Sequence, residues 1–291
     1  MPKKVQELLK YALKFLLSKG FSSREASWEA RLILSHLLYC KPLEIYLHDD
    51  FDESLIDKFY EILESRGEGV PLAHLLGEIE FYGYSFKVSP SVLIPRPETE
   101  ILVEEALKKI PPQGRVLELG VGSGCVSLSL ALERPDIKIV GIEISSEALE
   151  VAEHNRRHYR LQRRVFWVLG DWFSPLKKLP SFDLIVSNPP YVSRKEWENL
   201  SPEVRDFEPP LALIGGEEGL DFIYRTLEEA FFYLKPGGWL LLEIGFSQAE
   251  KVAQKAVQCG YDFHFVKDLS GIKRVLVARS LQKSMTALSK D

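Results

Sequence analysis

The spacing of apolar residues changes along this chain of 291 residues. Up to about residue 75, apolar side chains recur every three or four positions, as in Ala26, Ala30 and Ile33, which is typical of amphipathic helices. A third run of this kind covers about 52–66 and ends before a glycine. We therefore predict that residues 1–75 form a small helical bundle.

A short aromatic stretch follows the bundle. Phe81, Tyr82 and Gly83 lie in a segment, 76–95, that we predict to be a β-hairpin linker. Two prolines then hold the chain extended, and a helix is predicted at about 98–110.

From Arg115 onward, short runs rich in β-forming residues alternate with helical segments, which predicts a parallel sheet. The predicted strands are 115–120, 138–144, 165–170, 182–188, 238–245, 261–268 and 273–279. Only residues 269–272 join the last two strands, and a connection that short excludes a parallel crossover. The predicted fold class is therefore α/β, a Rossmann-like seven-stranded methyltransferase sheet with its last strand antiparallel. It is assigned to residues 96–282, with 283–291 as a tail.

Composition narrows the range of partners and locations. The net charge is −5, so the basic footprint of a nucleic-acid-binding protein is missing, and we expect no direct nucleic-acid binding. Charged residues interrupt every apolar run before about 18 positions, and we expect no membrane span. Three widely spaced cysteines without a CxxC pair favour a reducing, cytoplasmic environment.

A glycine-rich turn follows the first predicted strand of the sheet. It comprises Gly120, Val121, Gly122, Ser123 and Gly124, preceded by an acid at Glu118. The dinucleotide fingerprint GxGxxG would need a glycine where Cys125 stands. The GxGxG spacing suits a ligand without a pyrophosphate and favours S-adenosylmethionine over NAD.

Acids and an aromatic residue end the next two strands. Glu143 ends the second strand, where a carboxylate accepts ribose hydroxyls. Asp171 follows the third and is expected to accept from the adenine amino group, with Trp172 beside the ring. Because ligands bind at the carboxyl edge of open α/β sheets, we predict one cofactor site there.

The fourth strand ends in Asn188, Pro189, Pro190 and Tyr191. Two prolines remove backbone donors and fix an extended turn. The Asn188 side-chain oxygen and the Pro189 carbonyl are then placed to accept both N–H hydrogens of a planar amide or amine. Tyr191 is expected to lie against that group and to stabilise developing positive charge. Catalysis would consist mainly of positioning for in-line methyl transfer.

Together these motifs resemble the protein-(glutamine-N5) methyltransferases that act on class 1 peptide chain release factors. The resemblance covers nearly the whole chain, and its most specific part is the segment 94–100, IPRPETE. The other matching segments are 81–83, 120–124, 170–174, 188–191, 208–209, 212–213, 215–216, 219–221 and 243–245.

The resemblance implies methylation of the glutamine in the release factor's Gly-Gly-Gln loop, with S-adenosylhomocysteine as the second product. It places cofactor contacts at 120–124, Glu143, Trp172 and Asn188, and the substrate amide at 188–191. Release-factor recognition would fall to residues 1 to about 75. The family commonly has Asp where this chain has Glu118 and Glu143, and Thr where it has Val121.

Three other functions stay open at this stage. An adenine-N6 nucleic-acid methyltransferase shares the tetrapeptide, and a ribosomal-protein glutamine methyltransferase shares the chemistry. A non-catalytic cofactor-binding scaffold is the third.

Several residues that could bind a metal or take part in catalysis are instead predicted to have structural or surface roles. His154 and His158 have a metal-ligand spacing, but no Glu lies between them as in HExxH, and no metal site is predicted. The basic run 156–164 is interpreted as an exposed helix face, and Cys125 as buried filler. Arg96 and Glu98 either shape the substrate channel or form a salt bridge with each other at the helix start.

Overall fold

The computed structural model describes residues 4–281, so the predicted tail at 283–291 lies outside the described residues. The chain separates into two compact units. One contains residues up to Glu78 together with Pro202–Phe207, and the other contains Ile79–Ser201 and the residues from Glu208 onward.

The smaller unit is helical. Its main helices are α1 (Val5–Ser18), α2 (Ser23–Leu37), α3 (Ile56–Gly67) and α4 (Leu72–Leu76), with 3-10 turns at Glu44–Leu47 and Glu53–Leu55. Ser22 caps α2, and Glu25 returns a hydrogen bond to the Ser22 backbone, so two otherwise unpaired donors are satisfied at the helix start. Buried Leu8, Ile33 and Phe59 come from three different helices, which shows that the predicted apolar faces form one core.

The larger unit is built on a seven-stranded sheet, as predicted. The described strands, all in this unit except for the first residue of β1, are β1 (Glu78–Phe81), β2 (Tyr84–Lys87), β3 (Arg115–Leu119), β4 (Lys138–Glu143), β5 (Val165–Leu169), β6 (Phe182–Ser187), β7 (Leu234–Glu243), β8 (Tyr261–Lys267) and β9 (Lys273–Ser280). The order in the sheet is β5-β4-β3-β6-β7-β9-β8. Strand β9 runs antiparallel to both of its neighbours, which confirms the predicted reversal.

Alternate residues of the central strands enter two different cores. Leu184 and Val186 of β6 face one core, and Ile185 between them faces the other. The helices that cover the two faces are α5 (Glu100–Lys109), α6 (Cys125–Glu133) and α7 (Ser146–His158) on the first side, and α11 (Asp221–Glu229) and α12 (Ala249–Gln258) on the second. Coverage of both faces explains why these strands read as nearly continuous apolar runs.

The hairpin of β1 and β2 packs within the larger unit. Phe81 and Phe86 are fully buried there against Leu102 and Val103 of α5. Between β6 and β7 the chain forms a 3-10 turn, Ala230–Phe232, and three short helices, α8 (Arg194–Trp197), α9 (Pro202–Phe207) and α10 (Pro210–Leu213). No described helix combines the length and apolar character needed to cross a bilayer.

Candidate active site

The strand order reverses between β3 and β6, and the carboxyl ends of these two strands lie side by side. Leu119 pairs with Ser187, and the Ser187 hydroxyl donates to the Leu119 carbonyl at 2.7 Å. Gly120 and Asn188 are therefore neighbours at the point where open α/β sheets bind ligands. A cavity of about 370 Å³ opens there, within the range of sites for small molecules.

The glycine turn after β3 has the backbone that its sequence requires. Gly120, Gly122 and Gly124 have φ values of 73°, 55° and 81°, in the left-handed region that favours glycine. Asn155 of α7 fixes the turn, because its side-chain amide donates to the Ser123 carbonyl at 2.9 Å. The three glycines therefore place no side chain between this backbone and the cavity.

Glu143, at the end of β4, contacts the glycine turn through its carboxylate. One carboxylate oxygen accepts from the Gly122 N–H at 2.9 Å, and the other accepts from the N–H groups of Ile144 and Ser145 at 2.9 and 3.0 Å. A carboxylate has about four acceptor positions, so roughly one is left for a ligand hydroxyl. Accepting a second hydroxyl would require the Gly122 bond to be exchanged.

The aromatic wall of the cavity consists of Trp172 and Phe222. The ring centroids lie 5.0 Å apart, and the Trp172 indole donates to the Thr226 hydroxyl at 2.8 Å. Asp171, next to Trp172, forms an ion pair with Arg225, whose Nη1 donates to both carboxylate oxygens, at 2.9 and 3.1 Å. Arg225 thus fixes the carboxylate that was predicted to contact adenine.

Glu118 and Cys125 lie among the cavity's lining residues, and burial favours the uncharged form of each. Burial raises the pKa of Glu118 to about 8, against hydrogen bonds from the Ser127 hydroxyl and backbone that lower it. Burial likewise raises the pKa of the Cys125 thiol to about 12. A thiol with so high a pKa is not a nucleophile at neutral pH.

Asn188 supplies the principal acceptor of the site. Its side-chain nitrogen donates to the Thr99 hydroxyl at 3.2 Å, while its oxygen Oδ1 is buried and accepts no hydrogen bond from residues 4–281. A buried acceptor without a partner is costly in a folded protein and usually has a functional role. Within the described chain, no donor reaches the Pro189 carbonyl either.

Tyr191 and Glu243 lie behind the tetrapeptide. The Tyr191 hydroxyl donates to the Glu243 carboxylate at 3.2 Å. Burial raises the pKa of Tyr191, and the nearby Glu243 charge adds to that effect. Burial also raises the pKa of Glu243 to about 7, although the facing hydroxyls of Thr99 and Tyr191 oppose it.

The backbone of the tetrapeptide packs closely against a glycine-rich loop. A Cβ atom on Gly215 would lie 2.3 Å from the Pro190 carbonyl oxygen, and one on Gly219 would lie 2.2 Å from that of Tyr191. The Gln248 side chain donates to the carbonyls of Tyr191 and Gly219, both at 2.9 Å. These contacts explain why glycine is present in the segments 215–216 and 219–221, where a side chain would collide with the backbone of the turn.

The remaining wall joins two distant segments of the larger unit. Glu208 accepts from the Ile94 backbone at 3.0 Å and forms an ion pair with Arg96. Residues 91–93 and Pro95 from the first segment, and 209, 211 and 212 from the second, line the cavity. Arg96 therefore pairs with Glu208, rather than with Glu98.

The cavity brings together nine of the residues that the sequence singled out: Gly120, Val121, Gly122, Ser123, Glu143, Asp171, Trp172, Asn188 and Pro190. Gly124, Pro189 and Tyr191 are not among its lining residues within the described chain. Sequence reasoning missed the roles of Thr99, Phe222, Arg225 and Gln248. Only Thr99 had a usable signal, because it lies within the motif at 94–100.

Comparison with known proteins identifies the family. Residues 7–77 match the PrmC N-terminal domain, and residues 97–202 match the methyltransferase small domain. The release factor glutamine methyltransferase of Koribacter versatilis is 40% identical over 272 residues, covering 92% of this chain and 95% of that protein. The corresponding protein of Aquifex aeolicus is 37% identical over 281 residues, covering 95% and 99%. This chain belongs to the release factor glutamine methyltransferase family.

A solved structure agrees on the fold. A methyltransferase from Pyrococcus furiosus superposes with a TM-score of 0.52 at 22% identity, covering 68% of this chain and 90% of that one. The two matched regions, 7–77 and 97–202, together account for most of this chain.

Proposed function

We propose that this protein transfers a methyl group from S-adenosylmethionine to the side-chain amide nitrogen, N5, of the glutamine in the Gly-Gly-Gln loop of class 1 peptide chain release factors. The observation that carries the proposal is the buried, unpartnered Oδ1 of Asn188 at the edge of the cavity. The names of the similar proteins support the choice of substrate.

An amide nitrogen is a weak nucleophile because its lone pair is delocalised into the carbonyl. Asn188 Oδ1 and the Pro189 carbonyl are two acceptors on one rigid turn, suited to the two N–H hydrogens of a primary amide. Accepting both hydrogens fixes the amide and turns its lone pair toward the cavity. The turn would thus contribute through orientation, which is among the largest sources of rate enhancement.

The residues of the cavity fit S-adenosylmethionine. The glycine turn at 120–124 offers close backbone approach, Glu143 retains an acceptor position for a ribose hydroxyl, and Trp172 offers an aromatic face. Asp171, held by Arg225, retains lone pairs for an exocyclic amine. When bound, the cofactor supplies an electrophilic methyl group on a sulfonium, so a sulfur–carbon bond breaks as the nitrogen–carbon bond forms and the nitrogen releases a proton.

The helical unit is proposed to recognise the release factor. It presents four exposed apolar side chains within nine residues of sequence, Tyr39, Leu43, Tyr46 and Leu47, with Tyr39 91% exposed. Exposed apolar patches mark protein interaction surfaces. Replacing Leu43 and Leu47 by serine should raise KM for the intact release factor and leave turnover of a short Gly-Gly-Gln peptide unchanged. An equal effect on both substrates would contradict this role.

A labelled-methyl assay tests the substrate assignment. The protein is incubated with labelled S-adenosylmethionine and, in parallel, with a release factor, the same factor carrying Ala at the loop glutamine, ribosomes and DNA. The proposal predicts label in the unmodified release factor only. Label in DNA would favour adenine-N6 methylation, and label in ribosomal protein would favour a ribosomal substrate. Either result, or label in the variant factor, would overturn the proposal.

A further inference from the structure

We propose that Thr99 and Glu243 are positioning residues that fix which end of the Asn188 side-chain amide faces the cavity. The inference rests on the proposed function, in which Asn188 must present its oxygen to the substrate amide. The oxygen and nitrogen of an Asn side chain have nearly the same shape, so sterics alone do not select the orientation. A hydrogen-bond partner of defined polarity is required.

Thr99 is placed to provide that partner. It is 2% exposed, and its hydroxyl accepts from the Asn188 side-chain nitrogen at 3.2 Å. Threonine at a helix start commonly caps the helix through its hydroxyl, but the Thr99 side chain makes no such bond to α5. Its backbone is already helical there, so the hydroxyl is directed to Asn188 instead.

Glu243 sets the polarity of the Thr99 hydroxyl. It is the last residue of β7, 2% exposed, and its carboxylate faces the Thr99 hydroxyl as well as that of Tyr191. An ionised carboxylate can only accept hydrogen bonds. The buried Oε2 of Glu243 accepts from none of residues 4–281, so it is the acceptor available to the single Thr99 proton, and Thr99 in turn accepts from Asn188.

The result is a set of contacts with one direction, in which Asn188 donates to Thr99 and the Thr99 hydroxyl faces the Glu243 carboxylate. With its nitrogen bound to Thr99, Asn188 can present only its oxygen to the cavity. Without Thr99 the amide is free to turn, and its NH₂ group would then face the NH₂ group of the substrate. Two donors facing one another cannot hold the substrate nitrogen for attack.

The ionisation of Glu243 supports the direction of this chain. The groups facing it are Thr99, Tyr191 and Arg274, which lower its pKa, and Glu98, which raises it together with burial, to a value of about 7. Above that pH the carboxylate is an obligatory acceptor. Below it, protonated Glu243 can donate to Thr99, and the orientation of Asn188 is no longer fixed.

The test compares Thr99→Val, which keeps the shape and removes the hydroxyl, with Thr99→Ser, which keeps the hydroxyl. Release-factor methylation is measured at saturating substrate, together with cofactor affinity and circular dichroism. We expect kcat to fall about 10- to 100-fold in Thr99→Val and to stay within about threefold of the parent in Thr99→Ser, with cofactor Kd unchanged. Ser129→Ala, which removes a buried hydroxyl outside the cavity, is the control for loss of such a group.

The pH dependence of kcat in Glu243→Gln provides a second, independent test of the role of Glu243. The parent enzyme should lose kcat as the pH falls below about 7, and Glu243→Gln should lack that dependence, because its side chain does not titrate in this range.

The outcomes separate the two proposals. A parent enzyme that does not methylate release factor overturns the proposed function, and the positioning role with it. If the parent is active, a kcat within twofold of it in Thr99→Val overturns the positioning role alone. The same conclusion follows if Thr99→Val raises KM without lowering kcat, since Thr99 would then bind substrate directly.

Discussion

The indole nitrogen of Trp172 donates a hydrogen bond of 2.8 Å to the hydroxyl of Thr226, a residue 54 positions further along the chain. Trp172 follows β5 with a φ of 53°, an uncommon backbone conformation for a large side chain. The bond to Thr226 in α11 therefore fixes the ring against the cavity. This contact joins the cofactor wall to a helix that the glycine turn does not reach.

Replacing Thr226 by valine should weaken cofactor binding. The substitution preserves the shape of a fully buried side chain but leaves the Trp172 indole without its acceptor. We expect the Kd for S-adenosylmethionine to rise about 3- to 10-fold in isothermal titration calorimetry. Thr226→Ser, which retains the hydroxyl, should bind nearly as tightly as the parent. Equal affinities of the valine variant and the parent would show that the ring does not depend on this bond.

Glu118 should make the folded protein less stable as the pH rises. Its pKa is raised from an ordinary 4.5 to about 8 in the folded state, mainly by burial. Between those values the folded protein holds a proton that the unfolded chain has released. Stability from this group is therefore complete below about pH 4.5 and declines as the pH rises to about 8, by at most about 1.4 kcal/mol per pH unit.

Glu118→Gln should flatten this decline. Urea unfolding measured from pH 5 to pH 9, with Glu61→Gln on an exposed helix face as the control, gives the comparison. As the pH rises to about 8, the free energy of unfolding of the parent should fall, and that of Glu118→Gln should fall less. Parallel curves for the two proteins would mean that Glu118 titrates normally.

Gly219→Ala should impair catalysis through the backbone of the tetrapeptide. A Cβ atom at this position would lie 2.2 Å from the Tyr191 carbonyl oxygen, so the turn must shift. Gly260→Ala is a matched control, because Gly260 has a similar φ of 77° but no atom within 4 Å of the added Cβ. Both variants should lose about 1 kcal/mol of stability from backbone strain.

Only Gly219→Ala should also lower kcat, by at least about tenfold, since displacements of about 1 Å at a reacting group can cost about 100-fold. Thermal unfolding and methyl-transfer assays of the two variants provide the measurement. A similar kcat in both variants would be inconsistent with a role for Gly219 in holding the turn.

The strands of the sheet could be predicted closely from the sequence. Strands that are buried on both faces are continuous apolar runs, which are easy to recognise in a sequence. The reversal of β9 followed from the short connection at 269–272. The short helices α8, α9 and α10 were not predicted, because four to six residues are too few to show a helical period. The basic run at 156–164 was expected to be an exposed helix face, and only part of it is exposed. Arg156 and Arg164 donate to backbone carbonyls of Val165 and Ala131.

The site was predictable where its residues end consecutive strands, and not elsewhere. Gly120, Glu143, Asp171 and Asn188 meet at one sheet edge because parallel strands end there. Arg225 lies in α11 and Gln248 immediately before α12, both far along the chain, and no spacing rule connects such positions to a strand end. Their contacts depend on packing that a single sequence does not reveal.

Methylation by Asn188→Ala, located by mass spectrometry, tests the role of the tetrapeptide most directly. The parent enzyme and the variant are incubated with release factor and S-adenosylmethionine, and the loop peptide is fragmented to find the methyl group. We predict one methyl on the side-chain nitrogen of the loop glutamine with the parent enzyme. With Asn188→Ala we predict a rate at least about 100-fold lower at similar cofactor affinity. Near-normal methylation of that glutamine by Asn188→Ala would contradict the role of Asn188 in holding the substrate amide.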